Sequence, residues 1–329
     1  EKDYIPFHFS TCQEYVDYLE EADLDCLIDD WLEPVGLGWI VAKTNAGKTL
    51  LAFDMGFHIA SGLPWYGREV KQGHVYYFAL EGGKKGLSKR VTAIQEGKPE
   101  MAEKGFGYFH LSREAFDLYN EHDAERLIKQ MKDTNNKPAM IFYDTLSEVH
   151  NAEENGIRDM KIIFKRLREI SNELNCFVMA VHHIGKDADK GGRGASNQKA
   201  SIDTEILLEK TLEGFSCKDT KQRDLPQHEP LYFVKKEIEI EKQGKKFSVA
   251  YIDQGQPSDP SHTPAHNRVM EVIREHKEME INCYNKHIED MAQMSQPQVS
   301  SVLKKLEQKG AIYREYDEQA KRTKILPTL

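Results

Sequence analysis

The sequence predicts an α/β domain built on a largely parallel central sheet, followed by a small module of short helices and a β-hairpin. Three observations carry this expectation. Five short apolar runs alternate with four longer amphipathic stretches; a Gly-Lys-Thr turn joins the first run to the first helical stretch; and a Pro/Ser/Gln-rich segment late in the chain marks a change of composition.

The apolar runs are Leu37–Val41, His74–Leu80, Gly107–Leu111, Ala139–Tyr143 and Cys176–Val181, all rich in β-branched or aromatic residues. Strands of a parallel sheet are covered on both faces, so they read as near-continuous apolar runs, as these do. Helical periodicity fills the gaps at about 48–61, 86–97, 121–132 and 157–174. Further strands are expected at Ser201–Leu208, Leu231–Lys236 and Phe247–Ile252, the last two joined by the charged turn Glu241–Lys246. Residues 1–35 read as an acidic, aromatic N-terminal arm with Tyr15, Tyr18, Leu19 and Leu27 at spacings a short helix can use. The domain proper is expected over 36–253, a linker over 254–264 and the second module over 265–329.

Composition excludes several classes. The chain has 329 residues, 45 basic and 54 acidic, and 39% hydrophobic residues, which suits a soluble globular protein rather than a disordered one. Its longest apolar stretch, Leu37–Ala42, is far shorter than the roughly 20 residues of a membrane helix, so no membrane association is expected. Five scattered cysteines without a CxxC pair point to a reducing, cytoplasmic setting. A net charge of −9 argues against a protein that coats duplex DNA nonspecifically. From residue 261 onward 11 basic residues meet 10 acidic ones, so the negative excess belongs to the first domain. The first residue is Glu1 rather than Met, as in a piece of a longer protein.

The chemistry concentrates at the ends of the predicted strands. Ala42-Lys43-Thr44-Asn45-Ala46-Gly47-Lys48-Thr49 follows a buried strand and precedes a helix opening with Leu50 and Leu51. That is the strand–loop–helix setting of the phosphate-binding pattern GxxxxGK[ST], and it implies ATP and Mg²⁺ as cofactors. Loop N–H groups and the helix dipole favour phosphate, Gly47 permits close approach, Lys48 reaches the β- and γ-phosphates, and Thr49 ligates Mg²⁺. Ala42 replaces the first glycine and costs about 1 kcal/mol if that position is left-handed. Asp144 ends an apolar strand and is placed to hold Mg²⁺ through a water; Glu81 ends another, where a base can orient the attacking water. His182 and His183 end a third, and strand alternation leaves open which faces the nucleotide as a γ-phosphate sensor.

Five elements in order carry a family resemblance: AKTNAGKT, FALEGGKKGLSKR, IFYDTLSEVH, the helix ending DMKIIFKRLREI, and VHHIGK followed by GGRGAS. Over residues 33 to 240 the chain resembles the RepA-like branch of the RecA-fold hexameric helicases of plasmids, phages and mobile elements. The resemblance implies a homohexameric ring with ATP between subunits and single-stranded DNA in its channel. It assigns Glu81 as catalytic glutamate, Asp144 as Walker B aspartate, His183 as the phosphate-sensing strand end and Arg193 as an arginine reaching a neighbour's γ-phosphate. Lys235 and Lys236, at a later strand end, are alternative trans-acting cations. The residues themselves leave the Gly-rich loop KDADKGGRGAS two uses: Lys186, Lys190 and Arg193 suit a DNA backbone or delivery of Arg193 in trans. A primase-polymerase or initiator, on this chain or another, is a further expected partner.

The C-terminal pattern resembles a winged helix-turn-helix. Ala265–His276 carries Val269, Val272 and Ile273 on one face, and Asn285–Met294 carries Ile288, Met291 and Ala292. Ser295 and Pro297 open a recognition helix, Gln298–Lys309, with Lys304 and Lys305 outward, and Lys321, Arg322 and Lys324 lie on the wing. DNA contact through Lys304, Lys305 and Arg322 and docking to a protein are both open to such a module. Three functions follow: an ATP-dependent DNA helicase, a recombinase-like DNA-dependent ATPase, or an initiator that uses nucleotide as a switch.

Overall fold

In the computed structural model, residues 9–21, 26–150, 157–183, 198–211, 214–242, 244–255, 264–279, 281–308, 312–318 and 320–327 are described. The chain forms two compact units, dividing between Gly255 and Gln256. Among the described residues no helix is long and apolar enough to cross a membrane.

The first unit is organised by nine strands: β1 (Gly36–Ala42), β2 (His74–Ala79), β3 (Phe109–Ser112), β4 (Pro138–Asp144), β5 (Phe177–His183), β6 (Thr204–Lys210), β7 (Gly214–Lys221), β8 (Leu231–Lys242) and β9 (Lys245–Gln254). They pair in the order β3-β2-β4-β5-β1-β6-β7-β8-β9. The six from β3 to β6 are parallel, and β7, β8 and β9 add an antiparallel extension. The helices are α1 (Cys12–Glu21), α2 (Lys48–Ser61), α3 (Lys84–Gly97), α4 (Pro99–Gly105), α5 (Glu121–Asp133) and α6 (Ile157–Leu174). The apolar runs are strands and the amphipathic stretches are helices, within a few residues of the expected bounds.

Strand alternation divides the core into two layers. Ile40, Met140, Phe142, Phe177 and Met179 pack toward α2, with Phe53, Met55 and Phe57. Leu37, Trp39, Ile141, Tyr143, Val178 and Ala180 pack on the other face with Ile163, Leu167 and Ile170 of α6. The helix α2 is buried on nearly every side, as its almost unbroken apolar sequence requires. It stops at Gly62, whose φ of 68° lets its N–H return to the His58 carbonyl. Residues 26–35, grouped with the arm by composition, supply Leu27, Ile28, Trp31 and Leu32 to the α2-side core.

Two elements depart from the sequence expectation. Pro99 opens the short α4, and β7 is a strand although GFSCKDTK offers only Phe215 and Cys217 as buried apolar residues. Asp219 shares the buried face of β7, satisfied by the His228 backbone N–H and imidazole Nδ1. A second buried carboxylate, Asp54 on α2, accepts Lys98 Nζ at 2.6 Å, Tyr66 OH at 3.1 Å and Trp65 Nε1 at 3.3 Å. It ties α2 to the junction of α3 and α4, and its burial is tolerable only because it is so fully hydrogen-bonded.

The second unit contains α7 (Pro264–Glu278), α8 (Asn285–Met291), α9 (Gln296–Gln308) and a hairpin of β10 (Ile312–Asp317) with β11 (Arg322–Pro327). Its core joins Val269, Val272, Ile273, Ile288, Val299, Leu303, Leu306, Ile312 and Ile325. Ser295 opens α9, and its N–H and hydroxyl both donate to Gln298 Oε1 at 2.9 Å, the reciprocal half of a capping box. One core expectation is corrected: α8 ends at Met291, whose side chain turns out to solvent, and Met294 takes the buried place instead.

The buried His58 makes stability depend on pH. Its Nδ1–H donates to the Leu63 carbonyl, and burial holds the imidazole below its ordinary value, outweighing the pull of Asp54. The unfolded chain protonates this residue below about pH 6.5 while the folded chain resists it, so stability is full above that pH and declines as pH falls. The variant His58→Asn keeps a donor for Leu63 and is expected to show a flatter acid limb in urea denaturation between about pH 7 and 5.

Candidate nucleotide-binding site

The parallel register brings the ends of four strands level. Ala42 pairs with His183, Asp144 with Val181, and Ala79 with Asp144. Beyond these ends opens a cleft of about 650 Å³ lined by Thr44–Leu50, Glu81, Lys89, Arg90, Asp144, Thr145 and residues of β6 to β9. Ligands of open α/β sheets bind in such a crevice.

Ala42 is fully buried within β1, paired on both sides, so the residue that replaces the first glycine meets no left-handed backbone requirement there. Asn45 has φ 60° and Gly47 φ 99°; these turn the loop so that α2 begins at Lys48. Gly47 lies directly against the ring of Phe215 on β7, where an added Cβ would sit 2.4 Å from two ring carbons. Lys48 is buried, and its Nζ donates to the Ala42 and Lys43 carbonyls at 3.2 and 3.3 Å. Burial pulls its ammonium below the usual lysine range, against the attraction of Asp144 and Glu81.

Asp144 is the junction of the site. Its Oδ2 accepts the Thr49 hydroxyl at 2.9 Å and the buried Tyr77 phenol at 2.6 Å. Burial raises the carboxyl above the usual aspartate range, while these two donors draw it back toward the ionised form. With its proton given to Asp144, the Thr49 oxygen turns lone pairs outward. A hydroxyl and a carboxylate side by side form the hard oxygen set that suits Mg²⁺, so the residues present fit a magnesium-bound nucleotide.

Glu81 lies past the end of β2, exposed in the cleft, and its Oε1 accepts the Thr145 hydroxyl at 2.7 Å. Lys89 and Arg90 of α3 line the wall, with Lys89 Nζ 5.1 Å from the Phe247 ring centre. Lys235 also lines this chain's own cleft, and both Lys235 and Lys236 lie within β8 rather than at a strand end. That corrects their expected placement, because the long β8–β9 hairpin carries the strand on to Lys242. His182 stacks on Trp39 with ring centres 5.3 Å apart, on the α6 side of the sheet, whereas the backbone of His183 stands opposite Ala42. Lys186, Lys190 and Arg193 lie outside the described residues.

Sequence reasoning missed Tyr77, Thr145, Arg90 and Phe215. Two of them carried a signal. Tyr77 is a polar-tipped aromatic on the buried face of β2, and Thr145 follows the strand-ending aspartate.

Fold and site together define a RecA-like P-loop ATPase domain joined to a winged-helix unit. The AAA domain family matches residues 18–189, more than half of the chain, and the chain belongs to that family. Residues 263–324 match the MarR family, in the winged unit. No curated protein matches this sequence. Among solved structures, one described as an ATPase domain is 14% identical with a TM-score of 0.51, covering 68% of this chain and 95% of that one. A DnaB-like replicative helicase, described with its interactions with primase, is 17% identical with a TM-score of 0.51, covering 69% of this chain and 65% of that one. At such identities the likeness is one of fold.

Gly47→Ala is expected to weaken nucleotide binding by about tenfold or more, since it adds left-handed strain to a collision with Phe215. Fluorescent-nucleotide titration checks this, with circular dichroism to show that the fold persists.

Proposed function

We propose that this chain is an ATP-dependent DNA helicase that works as a homohexameric ring on single-stranded DNA. The observation that carries the reading is the convergence of Lys48, Thr49, Asp144 and Glu81 on one cleft at the carboxyl ends of parallel strands. The residues Ala42–Leu50 cradle the nucleotide phosphates, and Lys48 exchanges its loop carbonyls for the β- and γ-phosphate oxygens. Thr49 and, through a water, Asp144 hold Mg²⁺, which supplies charge neutralisation at the phosphates. Glu81 orients the attacking water, and His183, at the end of β5, senses the γ-phosphate.

The ring and its track rest on the fold likeness to helicase domains and on the sequence. Arg193 reaches a neighbour's nucleotide, and Lys186 and Lys190 grip the strand backbone in the channel. In the winged unit Lys304, Lys305 and Arg322 are exposed and contact DNA, whereas Arg314 and Lys324 are tied to Glu307 and Glu315 at 3.1 and 3.0 Å. Replication of a plasmid, phage or mobile element, in the cytoplasm and with a primase-polymerase or initiator, is the setting this reading gives the chain.

Purified protein is expected to hydrolyse ATP, to be stimulated by single-stranded DNA, and to displace a strand from a forked duplex. Lys48→Ala is expected to lower turnover on the order of a hundredfold with the fold intact. Ordinary turnover in that variant contradicts the site. A stable monomer in sedimentation with an ATP analogue and single-stranded DNA contradicts the ring.

A further inference from the structure

We propose that Thr145 is a positioning residue for hydrolysis, fixing the Glu81 carboxylate through a two-hydroxyl relay that begins at Ser147. The inference rests on the reading of the cleft as an ATP hydrolase and adds residues to it. Thr145 Oγ1 lies 2.7 Å from Glu81 Oε1 and 2.8 Å from Ser147 Oγ. An ionised carboxylate only accepts, so the single Thr145 proton goes to Glu81. Thr145 must then accept from Ser147, and the direction of the chain is settled: Ser147 to Thr145 to Glu81.

The two ends differ in freedom. Thr145 is 2% exposed, β-branched, and held where β4 passes into the helical turn Leu146–Val149, whose Glu148 N–H returns to the Thr145 carbonyl at 3.2 Å. Glu81 is an exposed, three-bond side chain followed by Gly82 and Gly83. A charge-assisted hydrogen bond from a rigid donor selects one arrangement of such a side chain. Because Asp144 and Thr145 are consecutive, the carboxylate beside Thr49 and the hydroxyl that holds Glu81 are one peptide unit apart. With Oε1 held, Oε2 is the oxygen that takes the proton of the attacking water. The water oxygen bonds to the γ-phosphorus as its bond to the bridging oxygen breaks, and the bridging oxygen leaves with ADP.

The test is steady-state ATP turnover and nucleotide affinity of the full chain. Thr145→Val keeps the branched shape and removes the donor. It is expected to lower kcat about tenfold, the weight of one hydrogen bond to a charged group, with KM and nucleotide Kd within about twofold. Thr145→Ser is expected to recover most of the loss. The half-buried Ser147→Ala, which threatens the fold less, is expected to cost a few-fold in kcat, on the order of a neutral hydrogen bond. If Thr145 works through Glu81, Thr145→Val adds no further loss in a Glu81→Gln chain. An unchanged or raised kcat in Thr145→Val, or a full additional loss in the Glu81→Gln background, overturns the relay. Absence of turnover in the parent chain, or full turnover in Glu81→Gln alone, instead refutes the hydrolase reading and the relay with it.

Discussion

One carboxylate oxygen, Asp144 Oδ2, accepts hydrogen bonds from two different elements, the Thr49 hydroxyl on α2 and the Tyr77 phenol on β2. The end of β4 is thereby fixed to the first turn of the phosphate-loop helix and to the neighbouring strand. The backbone adds to this, since Leu80 N–H donates to the Asp144 carbonyl at 2.9 Å. A buried acid with two short donors is a strong constraint, because losing either partner leaves a desolvated charge underserved. The positions of Thr49, Glu81 and Thr145 all follow from where Asp144 is held.

The sheet sustains that precision. Both faces are covered, α2 is enclosed, and a second buried acid, Asp54, anchors the middle of the same helix through Lys98, Tyr66 and Trp65. The helix that begins at Lys48 therefore cannot tilt without breaking contacts along its whole length. On the opposite side of the loop, Phe215 presses on Gly47, so the antiparallel extension braces the phosphate loop as well as walling the cleft.

Much of this was legible beforehand, for physical reasons. Strands buried on both faces must be apolar throughout, so β1, β2, β4 and β5 stand out, and the loop Ala42–Thr49 is recognisable by its spacing and neighbours. The antiparallel β7 was hidden because it buries Phe215, Cys217 and Asp219 on one face and relies on a carboxylate–imidazole pair instead of apolar area. Hydrogen bonds such as Tyr77–Asp144 and Thr145–Glu81 join residues 67 and 64 positions apart, and only the register of β2 on β4 brings them together. The two histidines of β5 show the same limit: stacking of His182 on Trp39 depends on which face each strand residue takes.

Asp144 thus organises the cleft, and the function proposed for it makes that cleft a magnesium-dependent site. Calorimetric titration with an unhydrolysed ATP analogue, with Mg²⁺ and with chelator, on the parent chain and on Asp144→Asn, tests this most directly. The parent is expected to bind the analogue more tightly with Mg²⁺, and Asp144→Asn to lose that gain while keeping the affinity seen in chelator. An undiminished gain from Mg²⁺ in Asp144→Asn would contradict the account.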